Sequence, residues 1–140
     1  MLNTLKTYYD NYAEAAQQAR NKSNFFDNFL GTGSAANKHP CHEQFYEDIK
    51  GLMEKYAASN PDPKEACAVS LYMIEEPMNY KGRDAYWFMY VVLAFIRDLI
   101  PIMSKEDCAM LAEKLNELYK KRDRMPVQED TYKKLVKASK

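Results

Sequence analysis

The stretch Ala85–Met103, AYWFMYVVLAFIRDLIPIM, constrains this chain more than any other feature. No charged side chain occurs between Ala85 and Ile96, so a helix here is apolar on every side and must be buried. A membrane span needs about 20 apolar residues. Arg97 and Asp98 interrupt the run after twelve. The segment therefore predicts the central buried helix of a water-exposed bundle, from about Arg83 to Ile100. Pro101 ends it, because proline lacks the backbone donor and disfavours helix at the residue before it.

The flanking segments are two-faced at helical spacing. Leu2, Leu5, Tyr9, Tyr12, Ala16 and Ala19 recur in steps of three and four and predict a helix from about Leu2 to Arg20. Ser23 is the expected cap of a short aromatic helix carrying Phe25, Phe26, Phe29 and Leu30, stopped by Gly31. Residues 31–39 are small and polar and predict a mobile loop. Pro40 suits the first turn of the next helix, with His39 as its cap. That helix has the face Phe45, Ile49, Leu52, Met53 and Tyr56. Asp62 and Pro63 open a third helix, which buries Ala66, Val69, Ser70 and Met73 and stops at Pro77.

Ser104 caps the helix that carries Cys108, Leu111, Leu115, Leu118 and Tyr119 to about Arg122. The last helix, from Pro126, offers only Val127, Tyr132, Leu135 and Val136, so residues 126–140 are expected to be weakly held. No segment alternates with period two. The fold class is all-α: a single-domain bundle, residues 1–140, of five main helices plus the short aromatic one.

Lys and Arg together number 20, as do Asp and Glu, so no global field recruits nucleic acid or an anionic membrane. Lys120, Lys121, Arg122 and Arg124 cluster near a helix end, where cations complement the dipole and a solvated patch suffices to explain them. The N-terminal segment has no unbroken apolar run of the signal-peptide kind. Three widely spaced cysteines suit reduced thiols. Both features favour a cytoplasmic location.

Chemistry has one candidate, His39-Pro40-Cys41-His42-Glu43. A thiol in the first turn of a helix is favoured as thiolate by the dipole, and a neighbouring imidazole adds to this. Cys41 with His39 or His42 is thus the candidate catalytic pair, and the same three side chains are the candidate metal ligands. Contiguous residues wrap an ion poorly, however, and simple helix initiation accounts for all of them. No metal or other cofactor is implied, and no recognisable catalytic motif occurs.

Aromatic residues are in surplus: the chain has 11 tyrosines and 6 phenylalanines. Tyr8, Tyr9 and Tyr12 cover more than one side of the first helix, and with Phe25, Phe26 and Phe29 they form a candidate interaction surface. The expected function is a small protein–protein interaction module whose partner is another protein or a second copy, as in a homodimer. A thiol-based enzyme or redox site at His39–Glu43 is one alternative. A small-molecule-binding bundle with a Tyr/Met-lined pocket is the other.

Overall fold

The structure is a computed structural model that describes residues 1–30, 41–80 and 82–140, with the side chains of all of these except 23–30, 82–88 and 91. Among the described residues there are six α-helices and no strand: α1 (Leu2–Leu30), α2 (Cys41–Ala58), α3 (Pro63–Glu75), α4 (Gly82–Leu99), α5 (Lys105–Leu118) and α6 (Pro126–Ala138). The all-α class expected from the sequence is therefore what the chain adopts. No described helix is long and apolar enough to cross a membrane.

Two compact units divide the chain, Met1–Ile49 and Lys50–Lys140, with the boundary inside α2. In the first unit, α1 runs without a break to Leu30, so the expected stop near Arg20 and the separate aromatic helix are replaced by one continuous helix of 29 residues. No proline and no glycine stands between Leu2 and Leu30 to interrupt the backbone bonds. Of its apolar stripe, Leu5, Tyr9, Tyr12, Ala16 and Ala19 are buried, while Leu2 in the first turn is exposed. The expected mobile loop 31–39 lies outside the described residues.

In the second unit α3, α4, α6 and α5 form a closed ring of contacts, α3 to α4 to α6 to α5 and back to α3. Chain order and ring order thus differ. The short 3-10 turn Ile100–Ile102 links α4 to α5, yet the principal neighbours of α4 are α3 and α6. Along the expected central helix, Val92, Leu93, Phe95, Ile96 and Leu99 are buried, while Tyr90 stays 49% exposed and Asp98 faces water.

The starts of α3 and α5 are where the sequence places them. Asp62 accepts from the backbone N–H groups of Lys64 and Glu65 at 3.0 and 3.1 Å, and Ser104 Oγ accepts from Asp107 N–H at 3.1 Å. Each satisfies donors that have no partner within the helix. Asn60, at φ 53°, takes the left-handed conformation just beyond α2, a region asparagine enters more readily than other non-glycine residues. The helix α5 ends at Leu118 rather than near Arg122, because Tyr119 is extended and Arg124 Nε folds back to bond its carbonyl at 2.8 Å.

The last helix packs against both α4 and α5. Two of the three residues on its buried face are polar: Gln128 and Thr131, beside Leu135. Thr131 Oγ1 donates to the Leu93 carbonyl at 3.0 Å, which removes the penalty of burying its hydroxyl.

Candidate functional site

Among the described residues, each unit holds a place where polar or reactive side chains meet a concave surface. In the first unit, Cys41, Gln44, Phe45 and Asp48 share one face of α2, and Tyr8, Asn11, Tyr12 and Ala15 share one face of α1. Steps of three, four and seven put them there. Between them lies a cavity of about 250 Å³. The Tyr12 ring stacks on Phe45, with centroids 4.4 Å apart, and meets the His42 ring edge-on at 5.6 Å. A hydrogen bond of 2.7 Å joins the Tyr12 hydroxyl to His42 Nδ1. With Nδ1 so engaged, the imidazole can act on another group only through Nε2.

The structure thus brings Cys41 and His42, two members of the candidate chemical cluster, beside Tyr8 and Tyr12 of the candidate interaction surface. Tyr9 and Tyr12 are buried and Tyr8 is half-buried, so Tyr8 is the member of the described tyrosine set that remains partly open. Phe25, Phe26 and Phe29 belong to α1, and their side chains lie outside the described residues, as does His39 altogether. Among the described residues no three His, Cys, Asp or Glu side chains gather where they could hold a metal ion.

The other two thiols are placed for packing. Cys67 and Cys108 are buried, and burial pushes both upward from the ordinary thiol pKa, with the Asp107 carboxylate acting in the same direction. A protonated, enclosed thiol is a poor nucleophile at neutral pH.

The second unit carries a cavity of about 430 Å³, assembled from four parts of the chain. Pro77, Met78 and Tyr80 come from the 3-10 turn after α3 and the residue that follows it. Met89 comes from α4, Leu118 and Tyr119 from the end of α5, and Asp123, Met125 and Gln128 from the approach to α6 and its first turn. Three methionines, a leucine and a proline make the walls apolar and deformable, since methionine has three rotatable bonds and a polarizable sulfur. Met78 stands at the rim, 54% exposed. The Tyr119 hydroxyl is turned away, donating to the Ile74 carbonyl at 2.9 Å, and burial pushes its pKa up to about 12. It stays a neutral donor.

Gln128 is a buried polar residue of this lining, only 2% exposed. Its Oε1 accepts from the backbone N–H of Met125 at 2.7 Å, which fixes which end of the amide is oxygen. Its Nε2 must then face the other way, where it donates to the Met89 sulfur at 3.2 Å.

The chain matches no protein-family model, no curated protein and no solved structure.

The sequence indicated neither the position of this groove nor the residues that line it. Half of the signal for Gln128 was present: Pro126 at the first position and Gln128 at the third complete a capping pattern with Met125 at the cap, which places the glutamine oxygen. Nothing local indicates that the nitrogen meets a methionine 39 residues earlier in the chain. Arg124 was missed too. Lys120, Lys121 and Arg122 are exposed as expected of a solvated cluster, but the Arg124 side chain is 2% exposed.

Proposed function

We propose that this chain is a non-catalytic binding module whose site is the methionine- and tyrosine-lined groove of the second unit, and that its ligand is an apolar small molecule. The observation that carries this reading is the groove itself. Its volume of about 430 Å³ falls within the roughly 300–1,000 Å³ of small-molecule sites. Such sites are mostly apolar with a few placed polar groups, and this composition is what Met78, Met89, Leu118, Met125 and Gln128 supply. The experiment is a titration with Nile red, a neutral dye that brightens in apolar surroundings. Wild type should bind one dye per chain, and Met78→Glu with Met125→Glu should weaken binding at least tenfold while far-UV circular dichroism is unchanged. Equal binding by the double variant would remove the groove as the site.

A second reading, the protein-interaction module, is favoured by Tyr90, a large side chain 49% exposed on the most apolar helix of the chain. Tyrosine with an apolar body and a polar tip is enriched at interfaces. Native mass spectrometry of wild type and Tyr90→Lys decides it. A dimer or a bound protein lost in the variant supports the reading, and a monomer in both removes it.

A further inference from the structure

We infer that the Gln128 carboxamide is the specificity element of the groove, and that it selects a neutral ligand presenting a carbonyl-type hydrogen-bond acceptor. The inference rests on the groove being a small-molecule site and goes on to name the chemistry of what enters it. A primary amide nitrogen has two hydrogens to give. Among the described residues the Gln128 nitrogen has one acceptor, the Met89 thioether sulfur, and a thioether is a weak one. A buried donor so poorly satisfied carries a desolvation cost that a better acceptor would recover.

Burial and fixed orientation make the amide selective. Because Oε1 is held by the Met125 N–H, the carboxamide cannot flip to offer its oxygen instead. A ligand must therefore bring the acceptor, and one that brings only donors gains nothing from this wall. The charge of the ligand follows from the other groups. Asp123 is the charged residue among the described lining, so an anionic ligand finds no cation there to offset the loss of its hydration. Nearby Arg124 does not compensate, since its guanidinium is committed to the Tyr119 carbonyl, Glu129 and Asn116. A cation gains little either, because Asp123 is exposed and already pairs with Arg122 at 3.4 Å, and the anchor itself is a donor. What remains is a neutral ketone, amide or ester on an apolar body.

The test uses three probes of one shape: 2-acetylnaphthalene, its hydrocarbon isostere 2-isopropenylnaphthalene, and 2-naphthoate. Each displaces Nile red from the full-length protein. The ketone should bind about five- to tenfold tighter than the hydrocarbon, the range of one buried neutral hydrogen bond, and tighter than the carboxylate. In Gln128→Glu, which keeps an oxygen for the Met125 N–H and replaces the amide donor with an acceptor, the ketone advantage should vanish. In Met89→Leu, which removes the competing sulfur at similar volume, the advantage should persist or grow.

Equal binding of ketone and hydrocarbon to wild type overturns the inference and leaves the groove standing. Carboxylate binding as tight as the ketone overturns the neutral-ligand part. Failure of all three to bind, or binding unchanged by Met78→Glu with Met125→Glu, overturns the groove reading and this inference with it. Should Gln128→Glu fail to fold, loss of the ketone advantage in Met89→Leu contradicts the inference by itself.

Discussion

The Arg124 guanidinium lies over the ring of Tyr132, its central carbon 4.2 Å from the ring centroid. Around the rim of the same cation, Nε donates to the Tyr119 carbonyl at 2.8 Å, one Nη pairs with Glu129 at 2.9 Å and the other donates to Asn116 Oδ1. One buried side chain thus closes the turn between α5 and α6, on the segment that also supplies Asp123 and Met125 to the groove. Arg124→Ala should lower the unfolding free energy by about 2–3 kcal/mol, from the charged hydrogen bond to Tyr119 and the ring contact. Arg124→Lys should recover less than half of this, because an ammonium cannot meet three acceptors in one plane and stack as well. Urea denaturation of the two variants measures it, and a lysine variant as stable as wild type would contradict the account.

Acid and alkali should each weaken the second unit through one ion pair. Asp107 is buried and receives two bonds from Lys64 Nζ, at 2.9 and 3.2 Å. The Lys64 bond, helped by Ser104, holds the Asp107 carboxyl below its ordinary 3.8, and Asp107 in turn holds Lys64 above its ordinary 10.5. The carboxylate contribution is complete above the ordinary carboxylate pKa and is lost as pH falls through the lowered folded value. The ammonium contribution is complete below the ordinary lysine pKa and is lost as pH rises through the raised one. Asp107→Asn should lower the melting temperature at neutral pH, with the gap to wild type shrinking in strong acid and in strong alkali. A gap constant across the pH range would exclude this pair as its cause.

Gly51 sits within α2, and a Cβ added there meets nothing within 4 Å. Gly51→Ala should therefore stabilise the protein by about 0.5–1 kcal/mol, since glycine loses more backbone freedom in a helix than alanine. A calorimetric melt below that of wild type would mean that α2 is not continuous through this position.

Thiol reactivity should be divided by position. Cys41 is half-buried, whereas Cys67 and Cys108 are enclosed and held protonated. Native protein treated with iodoacetamide at neutral pH should take up one equivalent, at Cys41, and three after denaturation. A Cys41 rate well above that of a free thiol, reduced in His42→Ala, would favour the thiol-based alternative. Modification of Cys67 in the native state would contradict the placement of α3 against α5.

Much of the architecture was legible in residue spacing. On the expected face of α2, Phe45, Ile49, Met53 and Tyr56 are buried as the periodicity indicates and Leu52 is half-buried, and Ala66, Val69, Ser70 and Met73 of α3 are buried. Asp62 and Ser104 cap the helices they precede, because a side-chain oxygen next to unpaired N–H groups is a local arrangement that needs no tertiary partner. The α6 face was read from its apolar residues alone. Gln128 and Thr131 are buried there because acceptors or donors from α4 and from the α6 cap happen to meet them.

The sequence by itself determined the all-α class, the caps of α3 and α5 and most of the apolar stripes of α1, α2 and α3, since these follow from the 3.6-residue repeat and from end groups within one turn. The tertiary structure alone decided that α4 stands beside α6, that Arg124 turns inward, and that the Gln128 nitrogen donates to the Met89 sulfur. Those relations join residues far apart in the chain. They depend on how helix faces of similar hydrophobicity choose among one another, and hydrophobic burial, being non-directional, does not encode that choice in any local pattern.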